Sequence, residues 1–155
     1  DKLKEEWLVE AVEQLWNLGI VVVVSAGNYG PEEGTVAVPG TSRKVITVGA
    51  VPNPGWNSQS GRGPTDACVV KPDVYAPGFR ITSCNAMFRY NRSYYTVKSG
   101  SSMATPIVSG AAARLLSKYP ELSSVEVKLR FLRCQEKILD TTSLLLYDST
   151  GDKCE

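Results

Sequence analysis

The sequence predicts an α/β fold, a parallel sheet flanked by helices, on three observations. An amphipathic helix runs into a glycine and then an unbroken valine strand. A second β-branched run follows a glycine-rich loop, and a helix rich in small residues starts near residue 103. A helix, a glycine and a buried strand are half of a βαβ unit, and such units build parallel sheets.

The first helix is carried by Leu3, Trp7, Leu8, Ala11, Val12, Leu15 and Trp16 on one face, with Glu5, Glu6, Glu10, Glu13 and Gln14 opposite. Gly19 is its C-terminal stop. Ile20–Val24 reads as a strand buried on both faces, and Lys44–Val51 as a second one. Between them lies a loop holding Gly27, Gly30, Pro31, Gly34, Pro39 and Gly40. Residues 52–64 form a long loop. A short strand is expected at 73–76, stopped by Pro77-Gly78, and β-rich stretches at 80–84 and 94–97 flank a polar turn near Asn91-Arg92. The small-residue helix spans Met103 to Lys118, and proline is expected in its first turn. Ser123-Ser124-Val125-Glu126 is a capping box opening a third helix that runs to about Ile138. The tail 140–155 gives no firm reading.

With 155 residues the chain is long enough for one domain, and its 43% hydrophobic residues can bury a core. A net charge of +1, with both signs dispersed, excludes a broad basic surface for nucleic acid. No apolar stretch is long enough to span a membrane, and no secretion signal is visible at the N-terminus, which starts abruptly in a helical pattern. There is no histidine, so the chain by itself holds no Ser-His-Asp triad, Cys-His pair or histidine-ligated metal. Cys68, Cys84, Cys134 and Cys154 lack zinc-type spacing. Reduced thiols are expected, with two disulfides as the alternative.

Two segments carry the chemistry. Ser25-Ala26-Gly27-Asn28 directly follows the valine strand, and Gly100-Ser101-Ser102-Met103-Ala104-Thr105-Pro106 directly precedes the small-residue helix. A serine at a helix N-terminus has the helix dipole and free N–H groups beside it. An Asn amide aimed at the same point adds a donor, and paired donors of this kind stabilise an oxyanion. Taken singly, Ser102 reads as a helix cap and Asn28 as a turn residue. Together, and with Val38-Pro39-Gly40, Val45–Ala50, Ser60–Thr65 and Lys71–Gly78 in the same order, they resemble the C-terminal half of the catalytic domain of subtilisin-like serine proteases, the subtilases.

The resemblance implies a partial subtilisin-like fold lacking its N-terminal half, with residues 1–155 as a single incomplete domain. It implies Ser102 as nucleophile and Asn28 as oxyanion-hole donor, beside the Ser102 backbone N–H. Loss of one such donor costs roughly 100- to 1000-fold in rate, a magnitude known from a subtilisin. Ser25, Ala26 and Gly27 would form one wall of the pocket for the residue before the scissile bond, with Ala37 and Gly40 near its base. The catalytic Asp and His of the family lie upstream of these motifs. Without a base Ser102 is a poor nucleophile, so the chain alone is expected to be inactive. A Ser-Lys dyad with Lys98 or Lys71 is set aside, because Lys98 lies on a strand expected to point elsewhere. Lys71-Pro72-Asp73 reads as a surface turn with a local ion pair, and Phe88, Tyr90, Tyr94 and Tyr95 as hairpin packing.

The expected partners are a peptide or protein substrate and the missing half of the same enzyme, with no nucleic acid and no membrane. The face that half would cover is expected to draw the chain into a homodimer. No cofactor is expected. The family often binds calcium, but its ligand loops cannot be assigned here. Subtilases are often secreted. The alternatives are a pseudoprotease or peptide-binding module without catalysis, and a nucleotide-binding module, which lacks any Walker or Rossmann glycine pattern.

Overall fold

A computed structural model describes residues 2–53, 56 and 58–133, with only the backbone of residues 2–5 and 91. The tail, Cys134, Cys154 and the end of the third predicted helix lie outside the described residues.

Helix α1 (Lys2–Asn17) ends where the sequence predicts. Gly19 adopts φ +87°, and Gly19 N–H donates to Trp16 O and Ile20 N–H to Leu15 O. This paired closure satisfies two of the last helical carbonyls, and the left-handed backbone favours glycine. Strands β1 (Val23–Ser25), β2 (Ile46–Ala50) and β3 (Val74–Ala76) form a parallel sheet in the order β1-β2-β3. Val23 pairs with Ile46, and Val48 with Val74.

A two-stranded antiparallel ribbon, β4 (Ile81–Cys84) and β5 (Tyr95–Lys98), stands apart from the sheet. Between its strands is a one-turn helix, α2 (Phe88–Asn91), where the sequence predicts a polar turn. Helix α3 (Ser101–Lys118) packs across all three parallel strands. Its buried stripe is Ala104, Val108, Ala111, Ala112 and Leu115, mostly small residues that let the helix axis approach the sheet. Helix α4 (Ser124–Arg133) adds Val127 and Phe131 to the same core. The capping box forms as expected: Ser123 N–H and Oγ–H donate to Glu126 Oε2, and Glu126 N–H donates to Ser123 Oγ. Those bonds hold the Glu126 carboxyl below its ordinary pKa.

The valine run departs from expectation. Residues 21–25 are only half-buried, and the strand is three residues long. The reason is topological: β1 is the edge of the sheet, whereas central β2 is buried along its whole length. The apolar face of α1 is correspondingly bare. Trp16 is buried, but Trp7, Leu8 and Leu15 are exposed, Trp7 by 69%.

Lys71-Pro72-Asp73 is not a surface turn. Lys71 is 4% exposed and Asp73 is 7% exposed. Lys71 Nζ donates to Asp73 Oδ2, to Thr47 Oγ1 (2.9 Å) and to Val45 O (3.1 Å). Lys128 Nζ from α4 meets Asp73 Oδ1 at 3.2 Å and the carbonyls of Arg43, Lys44 and Val45. Thr47 N–H closes the network on Asp73 Oδ2 at 2.7 Å. A short polar tripeptide reads as surface because its partners, a lysine on α4 and the carbonyls before β2, are distant in the chain. The aromatic expectation holds only for Phe88 and Tyr94, stacked at 4.4 Å. Tyr90, Tyr94 and Tyr95 are all exposed, and only Tyr94 of the three has a stacked ring partner among the described residues. Cys68 and Cys84 are free thiols at the surface.

Candidate active site

Helix α3 begins two residues earlier than expected, at Ser101, so Ser102 stands in its first turn rather than capping it. The cap is Gly100, at φ +143° and with no side-chain cap bond. Glycine is required here on two counts. The backbone is one that L side chains rarely adopt, and a Cβ would stand 3.3 Å from Asn28 Oδ1. Met103 N–H and Ala104 N–H both donate to Gly100 O. The Ser102 N–H has no acceptor among the described residues and remains a free donor at the positive end of the helix.

Asn28 follows the end of β1 and is fixed against that first turn. Its Oδ1 accepts from Ser101 N–H at 3.0 Å and from the Ser101 hydroxyl at 3.1 Å. The same hydroxyl lies 2.9 Å from Gly27 O. Ser101 is fully buried. With the carbonyl end of the amide engaged by Ser101, its NH₂ end makes no hydrogen bond among the described residues. The predicted pair is therefore brought together: Asn28 bonds to the residue directly preceding Ser102.

Ser102 is exposed, and its hydroxyl has no hydrogen-bond partner among the described residues. Proline at 106 lies in the second turn of α3, not the first. It removes the N–H that would bond the Ser102 carbonyl, since proline has none. Thr105 Oγ1–H donates to the Ser101 carbonyl at 2.9 Å.

The five residues expected to line the pocket also converge. Ala37 N–H donates to Ala26 O, and Gly40 N–H to Ala37 O. Gly27, at φ +84°, lies so close to Ala37 that a Cβ there would sit 2.5 Å from the Ala37 methyl. Gly40 backs onto the Ser25 carbonyl. Ser25, Ala26 and Gly27 are thus tied to Ala37 and Gly40 by backbone contacts and to α3 through Ser101.

Three features escape sequence reasoning. Ser101 holds Asn28, and the signal was its place between Gly100 and Ser102. Lys98 lines one hollow with Ser102, and no bond joins them among the described residues. The buried Lys71 has its pKa lowered to about 8, chiefly by loss of solvation. Among the described residues no group of three His, Cys, Asp or Glu side chains could hold a metal ion, and no helix is long and apolar enough to cross a membrane.

Residues 2–147 match the profile of the subtilase family. Serine protease AprX of Bacillus subtilis (strain 168) is 44% identical over 146 residues, covering 83% of this chain and 33% of that protein. Subtilisin DY of Bacillus licheniformis is 39% identical, covering 79% of this chain and 42% of its own length. Among solved structures, sphericase superposes with a TM-score of 0.65 at 30% identity, covering 83% of this chain and 43% of its own. The S41 psychrophilic protease superposes at 0.69 and 25% identity, covering 94% and 50%. The chain therefore spans half or less of the length of these relatives.

Proposed function

From the premise that this chain belongs to the subtilase family, we propose that it carries the nucleophile and the oxyanion hole of a serine endopeptidase. Ser102 Oγ attacks the peptide carbonyl carbon. Negative charge gathers on the carbonyl oxygen, where the Ser102 N–H and the Asn28 NH₂ receive it. The amine leaves with a proton, and water then releases the acyl group from Ser102. The observation that carries this reading is the convergence of the Asn28 carboxamide, held through Oδ1 by Ser101, on the turn that bears Ser102. Ser25, Ala26 and Gly27 line the acyl side of the cleft, and Ala37, with Gly40 behind it, leaves room for a large apolar side chain.

The chain alone does not turn over peptides. It has no histidine to take the Ser102 proton, and a serine without a base is weakly nucleophilic. Its partners are the peptide substrate and a polypeptide supplying Asp and His. Where that polypeptide is absent, a second copy covers the bare face of α1 and β1, and light scattering reads a dimer or larger; a monomer at high concentration contradicts this.

The test uses a serine-directed organophosphonate on the longer polypeptide that supplies Asp and His. Modification mapped to Ser102 and lost in Ser102→Ala supports the peptidase. Peptide binding without modification supports the non-catalytic alternative.

A further inference from the structure

We propose that the tip and outer face of the β4–β5 ribbon bind the surface of an anionic lipid bilayer, with tyrosine rings at the level of the headgroups and arginines on lipid phosphate.

The ribbon register sorts its side chains onto two faces. Thr82 pairs with Val97 and Cys84 with Tyr95, so Val97 and Tyr95 stand on the face opposite Ile81, Ser83, Thr96 and Lys98. Both are exposed, and the tip between the strands adds Met87, Tyr90 and Tyr94, also exposed, Tyr90 by 82%. The tip is held in place. Asn85 N–H donates to Tyr94 O at 2.9 Å, Asn85 Nδ2 to Ser93 O at 2.8 Å, and Met87 N–H to Asn85 Oδ1 at 2.9 Å, while the Phe88 and Tyr94 rings stack. The tyrosines are therefore displayed on a fixed turn. A cluster of large exposed apolar side chains on one projection marks an interaction site.

Charge names the partner. Arg80, Arg89 and Arg92 are exposed and have no ion pair among the described residues. No Asp or Glu occurs between Asp73 and Glu121. The net charge of +1 conceals this separation, because Glu5, Glu6, Glu10, Glu13, Glu32 and Glu33 all lie near the other end of the chain. A guanidinium takes phosphate through paired N–H donors, and a tyrosine suits the boundary between headgroup and acyl chain. Met87 and Val97 offer nothing to a soluble polyanion, whereas the acyl boundary accepts them. The contact is peripheral and needs no apolar span, and it departs from the expectation of no membrane partner.

Vesicle flotation is the test, because vesicles carry bound protein upward while aggregates of the chain stay below. The chain should float with vesicles of phosphatidylcholine mixed with phosphatidylglycerol and stay behind with phosphatidylcholine alone, and added salt should release it. Arg89→Gln combined with Arg92→Gln should lower binding roughly 10- to 30-fold, the loss expected for two charges at an anionic surface. Tyr90→Ser combined with Tyr95→Ser should lower it severalfold. Trp7→Ser, on the bare face of α1, should leave binding unchanged, which separates the ribbon from general apolar adhesion. Equal flotation with both kinds of vesicle, no flotation, indifference to the arginine pair, or loss on Trp7→Ser overturns the proposal. So does retention on heparin without flotation, which would make the ribbon a site for a soluble polyanion.

Discussion

Strands β1 and β2 are built from the same kind of residue and meet opposite fates. β2 is buried at every position beneath α3, while β1 remains half-buried at the sheet edge beside the exposed face of α1. Side-chain type is not what separates them. β2 has a strand on each side; β1 has one on one side only. A row of unpaired backbone groups and an apolar hollow lined by Leu15, Ile20, Val21, Val22, Val23 and Leu116 sit on that edge. The candidate active site hangs between the two regions. Asn28 follows the end of the half-buried strand, and Ser102 stands on the helix that covers the buried one.

The comparison breaks first at the buried charge cluster. Asp73→Ala leaves Lys71 and Lys128 facing each other without their carboxylate. It should cost about 3–5 kcal/mol in urea denaturation, the scale for orphaning buried charge; a cost below about 1 kcal/mol would show that the cluster does not tie α4 to the sheet. Next comes the contrast between two leucines. Leu115→Ala, in the core, should cost about 2–5 kcal/mol, whereas Leu15→Ala, on the bare face, should cost under about 1 kcal/mol. Equal losses would mean that the α1 face is covered.

The smallest effect sharpens the same contrast through pH. Lys71 releases its proton near pH 8 when folded and near its ordinary 10.5 when unfolded. Between those values the unfolded chain binds more protons, so this group makes stability rise with pH through that window. Below pH 8 both states are protonated and the folded state bears the full desolvation penalty. Lys71→Met should flatten the rise in a series of unfolding curves from pH 8 to 10. An unchanged slope would show that Lys71 is not the group responsible.

Much of the site is legible because its parts are contiguous motifs. Ser25–Asn28 and Gly100–Pro106 each fix a local geometry, and local geometry is what a sequence encodes most directly. Burial is less legible. The valine run announces a strand but not its neighbours, so an edge strand and a central strand look alike until the sheet is assembled. Lys71 and Asp73 look solvated because charge usually is, and nothing beside them reveals Lys128 or the carbonyls before β2.

The proposal to be tested is that Ser102 and Asn28 supply the nucleophile and an oxyanion-hole donor, while the Asp and His come from another polypeptide segment. The most direct measurement adds the upstream half of a subtilisin-like peptidase, bearing Asp and His, to this chain and follows hydrolysis of a chromogenic peptide. Turnover is expected in the mixture and none from either part, with Ser102→Ala abolishing it and Asn28→Ala lowering it roughly 100- to 1000-fold. Turnover by the chain alone, or turnover in a mixture that survives Ser102→Ala, would contradict it.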